Sequence, residues 1–100
     1  MIVKKHKTHD GRLILAVCDS DLIGKKFNEG DLQLDLCSDF YQGEERSDQE
    51  IAKLFRCAYV VNLVGEKAVK LALKEGIINK AHVIKIKQIP HAQCVIVTEG

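Results

Sequence analysis

Four histidines, four cysteines and fourteen acidic residues are the side chains of this sequence that can move protons, attack carbon or hold metal. His91, beside Pro90 in a segment read as a loop, is the best placed for proton exchange near neutral pH. A general acid/base role would need Glu44 or Glu66 within hydrogen-bond reach of it, which spacing alone does not establish. His6 and His9 are three positions apart and would not share a face of a regular strand, although a turn could bring them together, so spacing gives no metal pair. Cys18, Cys37, Cys57 and Cys94 occur singly, without a Cys-x-x-Cys pair, and read as small core hydrophobes. The run Asn62-Leu63-Val64-Gly65-Glu66 reads as a strand-to-helix turn whose free N–H groups would suit an anion. Glu66 stands at that same helix start, so capping of the helix by Glu66 is the favoured reading. Neither a Walker loop nor a dinucleotide fingerprint is present. No catalytic set, cofactor or metal site is therefore expected.

Charge is more informative than single catalytic residues. The net charge of +1 conceals an acidic segment, 29–50, in which eight acids stand against Arg46 alone. Lys4, Lys5, Lys7 and Arg12 precede that segment, and further lysines follow it. With Lys25, Lys26, Lys85 and Lys87 they are candidates for salt-sensitive contact with RNA phosphates. Five aromatic residues do not make the base-stacking pattern of an RNA-recognition sheet. Phe40 and Tyr41, flanked by acids, instead suit an aromatic anchor with a polar rim for a protein partner.

The elements that must position these residues follow from patterning. Residues 2–8 and 12–18 form a hairpin around Asp10-Gly11, a dipeptide that accepts positive φ. The first strand, carrying lysines, reads as a sheet edge, and the second as a strand buried on both faces. Asp19-Ser20-Asp21 caps a short helical turn, and Leu32-x-Leu34-x-Leu36 is a one-sided strand. Ser47-Asp48-Gln49-Glu50 has the form of a capping box, followed by Ile51, Leu54, Phe55 and Ala58 at helical spacing. Residues 59–64 read as a strand, and a helix with Val69, Ala72 and Leu73 on one face follows until Gly76. Residues 83–87 and 92–98 are strands joined through 88–91. The expected fold is α+β: one domain over residues 1–100, a two-layer sandwich with a mostly antiparallel sheet and two main helices on one face.

At 100 residues, with 46% apolar and 29% charged side chains, the chain can bury one ordinary core without a metal or disulfide staple. The longest apolar run, Leu13 to Cys18, falls far short of the roughly 20 residues that span a bilayer. A cytoplasmic protein without membrane contact is expected.

The stretches Leu22-Ile23-Gly24-Lys25-Lys26-Phe27-x-Glu29-Gly30-Asp31-Leu32, Phe40-Tyr41-x-Gly43-Glu44, Asn62-Leu63-Val64-Gly65-Glu66-x-Ala68-Val69 and Ile89-Pro90-His91-Ala92-Gln93 add a further indication. Together they resemble a small archaeal family of uncharacterised proteins of roughly 100 residues, a domain of unknown function, over nearly the whole chain. The resemblance implies an archaeal, cytoplasmic, stand-alone α/β fold connected with translation or RNA metabolism. It brings no catalytic assignment. Glu29, Tyr41, Glu44, Asn62, Gly65, Glu66, His91 and Gln93 are the candidates for a shared functional surface. The expected function is a non-catalytic accessory module that binds RNA or a ribonucleoprotein. The alternatives are a protein-protein adaptor using segment 29–50, and a small enzyme or binder of an anionic metabolite at the Gly65-Glu66 turn. The oligomeric state is left open.

Overall fold

The computed structural model describes residues 1–96. Its strands are β1 (Ile2–Lys7), β2 (Leu13–Cys18), β3 (Lys26–Glu29), β4 (Leu32–Asp35), β5 (Glu44–Glu45), β6 (Val60–Val64), β7 (Val83–Ile86) and β8 (Ile89–Val95). Its helices are α1 (Asp48–Phe55) and α2 (Glu66–Lys74). A six-stranded sheet runs in the order β5-β1-β2-β6-β8-β7, and β3 and β4 make a separate two-stranded sheet. Every pairing is antiparallel except β2 with β6, which run parallel from Ile14↔Val60 to Cys18↔Val64.

The N-terminal hairpin forms as the Asp-Gly signal predicts, with Gly11 at φ 84. In β2 consecutive residues are buried because alternate side chains enter two different cores. Leu15 and Val17 join Ile51, Phe55, Val61, Leu63, Val69 and Ala72 beneath the helices. Ala16 and Cys18 join Leu34, Leu36, Tyr41, Val64 and Ile86 on the opposite face. That second face is roofed by the β3–β4 hairpin and residues 36–41, a partial third layer beyond the expected two. The expected α+β architecture with both helices on one face is present.

Ser47 caps α1 as its sequence indicates: its side chain accepts from the Glu50 N–H, and Glu50 reaches back to the Ser47 N–H. These bonds and the Arg46 guanidinium hold the Glu50 carboxyl below the usual range. Gly76, at φ 75, lies just past the end of α2.

Three local expectations change. Residues 26–29 form β3, which pairs with β4 in register Phe27↔Leu34, although Leu32 at the β4 start is 47% exposed. The chain turns between β7 and β8 at Lys87 and Gln88, both at positive φ (52 and 66). That is the pattern of a two-residue hairpin turn made without glycine. Ile89, Pro90 and His91 therefore lie in β8, where a loop was expected. Pro90 is tolerated because its carbonyl accepts from the Gly65 N–H, so its nitrogen faces the same way, past the end of β6, and not β7. Val97 and Thr98, expected to extend this strand, lie outside the described residues. Among the described residues, no helix is long and apolar enough to cross a membrane.

Candidate functional site

The strand-to-helix turn after β6 is already occupied by a carboxylate of the chain itself. Asp19, only 6% exposed, follows β2, whose end lies beside the end of β6 in the parallel pair. Its backbone N–H donates to the Val64 carbonyl at 3.0 Å. Its side chain accepts from the Lys67 N–H at 3.1 Å and the Ala68 N–H at 2.9 Å. Asp19 thus caps α2 from another strand, taking the donors an anionic ligand would use. It does not cap the 3-10 turn Ser20–Leu22, whose first residues make no side-chain cap bond. Glu66 is exposed in the first turn of α2 and is not the capping group. Gly65, at φ 106 and ψ 161, lets the backbone pass directly over the Asp19 carboxyl. The adjoining cleft, about 220 Å³, carries Asp19, Asp21 and Glu66 against Lys67. An anionic metabolite is therefore disfavoured at the Gly65-Glu66 turn.

The other candidates divide among several places. Tyr41 and Asn62 meet on the sheet face opposite the helices, and Gln93, opposite Asn62 in register, is exposed. The Tyr41 hydroxyl donates to Asn62 Oδ1 at 2.7 Å, and burial pushes its pKa up to about 12, so it stays a donor at neutral pH. Burial, with the charges of Asp19 and Asp21, likewise pushes the Cys18 thiol up to about 12, which suits a core residue rather than a nucleophile, whereas Cys37 and Cys57, expected in the core, are exposed and Cys94 is half-buried. His91 also lies in β8, opposite Ile84 and Val64, and its Nδ1 sits 2.9 Å from the Leu63 carbonyl. Glu29 accepts from the Lys87 N–H, tying the β3–β4 hairpin to the β7–β8 turn. Glu44 is in β5 at the far edge of the sheet, paired with Arg46. These eight residues do not converge on one cleft. Neither Glu44 nor Glu66 appears as a hydrogen-bond partner of His91. Among the described residues there is no group of three or more side chains able to hold a metal ion.

Tyr41→Phe is expected to lower the unfolding free energy by about 1 kcal/mol, the usual net worth of one hydrogen bond. The shift of the urea midpoint measures it. Tyr41 does not serve as an exposed anchor, since it is buried. Phe40 stacks on His6 with centroids 4.5 Å apart, and His6 Nε2 bonds the Phe40 carbonyl at 2.9 Å.

The basic residues fall into two groups. Lys25, Lys26, Lys85 and Lys87 are exposed on the β3–β4 and β7–β8 hairpins, near the edge of the sheet remote from β1. Lys4 is half-buried on the face away from the helices. Lys5 and Lys7 share the helix face with Val3, but unlike buried Val3 both are exposed. A cleft of about 780 Å³ is lined by Lys5, Lys7, Arg12, Arg56 and Tyr59. Its floor is fixed by register: Lys7 opposes Leu13, the Leu13 carbonyl accepts from the Tyr59 N–H at 2.8 Å, and Ile96 donates to the Tyr59 carbonyl at 2.7 Å. The end of α1 is closed by the following amides, Arg56 to Lys53 and Cys57 to Leu54. Among the described residues the cleft is lined by four cations and no acidic side chain. Among the described residues Lys5, Lys7 and Arg56 have no ion-pair partner, whereas Arg12 pairs with exposed Asp10 at 3.1 Å. A neighbouring cleft of about 390 Å³ along β1 is a weaker anion site, because its Arg46 is neutralised by Glu44 and Glu50.

Arg56 and Tyr59 were missing from the sequence-derived surface. Arg56 reads as a helix end and Tyr59 as a strand start, and only packing brings them beside the N-terminal lysines. The basic character of residues 4–12 was the one legible part of this cleft.

A solved structure described as that of an uncharacterized conserved protein from Methanopyrus kandleri is similar throughout, with a TM-score of 0.82 and 25% identity. The match covers 99% of this chain and 93% of that one. No curated protein matches the chain. Residues 6–97 match the family described as "Protein of unknown function (DUF424)", and the chain belongs to that family.

Proposed function

We propose that this protein is a non-catalytic accessory module that binds RNA or a ribonucleoprotein through the cleft between β1 and the end of α1. The observation that carries the reading is the gathering of Lys5, Lys7, Arg12 and Arg56 around one cleft of about 780 Å³. Clustered cations, of which Lys5, Lys7 and Arg56 have no ion-pair partner among the described residues, suit the phosphate backbone, whose binding releases condensed counterions. A cytoplasmic role in translation or RNA metabolism, in an archaeal cell like that of the Methanopyrus kandleri relative, fits such a module. Lys85 and Lys87, on the opposite edge, are not part of this contact.

The test is fluorescence anisotropy of a labelled single-stranded oligoribonucleotide across a salt series. Affinity should fall steeply as salt rises. Lys5→Gln with Lys7→Gln should weaken binding by about tenfold at low salt and flatten the log–log salt slope by about 1.4, or about 0.7 for each lost phosphate contact. Lys85→Gln with Lys87→Gln should leave both unchanged. Association that survives nuclease treatment, with no oligonucleotide binding, would move the reading to a protein-protein adaptor.

A further inference from the structure

The cleft holds an aromatic ring as well as cations. Tyr59 is half-buried and its backbone is pinned on both sides, to Leu13 and to Ile96. The Arg12 guanidinium lies over the ring, 4.4 Å from its centroid. Arg12 is held there by an ion pair with Asp10 in which both side chains are more than half exposed (52% and 61%). An exposed pair of this kind contributes little stability, so Arg12 can leave the ring at small cost.

We infer that Tyr59 is a stacking platform for one unpaired nucleobase, and that the strand bound in this cleft is single-stranded. The inference rests on the RNA reading above and goes further, to the form of the RNA. A duplex keeps its bases stacked on one another and offers chiefly phosphates and sugar hydroxyls. Such a ligand could use Lys5, Lys7 and Arg56 but would leave the ring without a partner. A single strand presents each base face, and a ring stacks on any of them without selecting its identity. When a base takes the ring, Arg12 moves from its π-face to a phosphate, so one residue changes from cation–π to ionic contact. Four cations around one ring favour a strand carrying a phosphate on either side of the stacked base.

The sequence provides a direct readout. There is no tryptophan and there are two tyrosines, so in the Tyr41→Phe variant Tyr59 alone emits. An unlabelled eight-nucleotide oligouridylate, titrated into this variant at low salt, should quench the emission with the same midpoint as anisotropy of the labelled strand. Tyr59→Leu should weaken single-strand binding by about tenfold, within the range for one stacked base, while leaving the salt slope unchanged. Tyr59→Phe should retain wild-type affinity. A duplex of the same length should bind more weakly and respond little to Tyr59→Leu. Salt-sensitive binding with unquenched Tyr59, or equal binding of duplex and single strand, would overturn this inference and leave the RNA reading standing. Absence of oligonucleotide binding in wild type and variant alike would overturn both.

Discussion

Gly65→Ala is expected to destabilise the fold by about 3–5 kcal/mol, read as a fall in the urea midpoint at unchanged slope. Two costs add at this position. The backbone sits at φ 106 and ψ 161, a region essentially reserved for glycine. The new methyl would also fall 2.3 Å from Asp19 Cγ and 2.5 Å from its Oδ2, with no flexible side-chain end to give way, because that carboxyl is bound to two amides. Relief would require moving the start of α2 off the sheet. α2 contributes Ala68, Val69, Leu71 and Ala72 to the larger core, so the loss would extend beyond the turn. A midpoint shifted by less than the equivalent of 1 kcal/mol would contradict this account.

Asp19→Ala is expected to cost about 2–4 kcal/mol, more than an ordinary exposed cap, because it strands the part-buried Lys67 and the buried Ala68 N–H groups at the helix start. Asp19→Asn should lose less, since an amide oxygen can still accept one of the two bonds. The double variant Asp19→Ala with Gly65→Ala should cost less than the sum of the single changes, because the shorter side chain makes room for the methyl. A double variant that costs at least about 1 kcal/mol less than that sum is the signature of direct contact. Simple additivity would separate the strained backbone from the clash and show the latter to be negligible.

Much of the architecture was legible because it is written locally. Asp10-Gly11 fixes a tight turn, Ser47 and Glu50 close a capping box, and Gly76 ends α2, each within a few residues. β2 was readable as doubly buried because only such a strand carries an unbroken apolar run. The misreadings have the opposite character. The turn at Lys87-Gln88 places two ordinary residues at positive φ, and a search guided by glycine and proline moves the turn onto Pro90 instead. Asp19 belongs to α2 by contact and to β2 by sequence, so its neighbours point to the wrong helical turn. The candidate site was partly visible as an excess of lysine near the N-terminus. Its remaining members, Arg56 and Tyr59, reach it through the packing of α1 and the pairing of β2 with β6.

The parallel pairing of β2 with β6 also sets how this chain must fold. The β1–β2 hairpin can form by itself on the microsecond scale, since its turn is short. Ile14 cannot meet Val60 until everything between them has closed as one large loop, and that closure costs entropy before any contact offsets it. The β3–β4 hairpin and α1 both lie inside that loop, so they must be accommodated while β2 still presents an apolar, unpaired edge. On a ribosome that edge waits through the synthesis of the whole intervening segment. Slow, non-local docking of β6 is therefore the step at which this small protein is most open to aggregation.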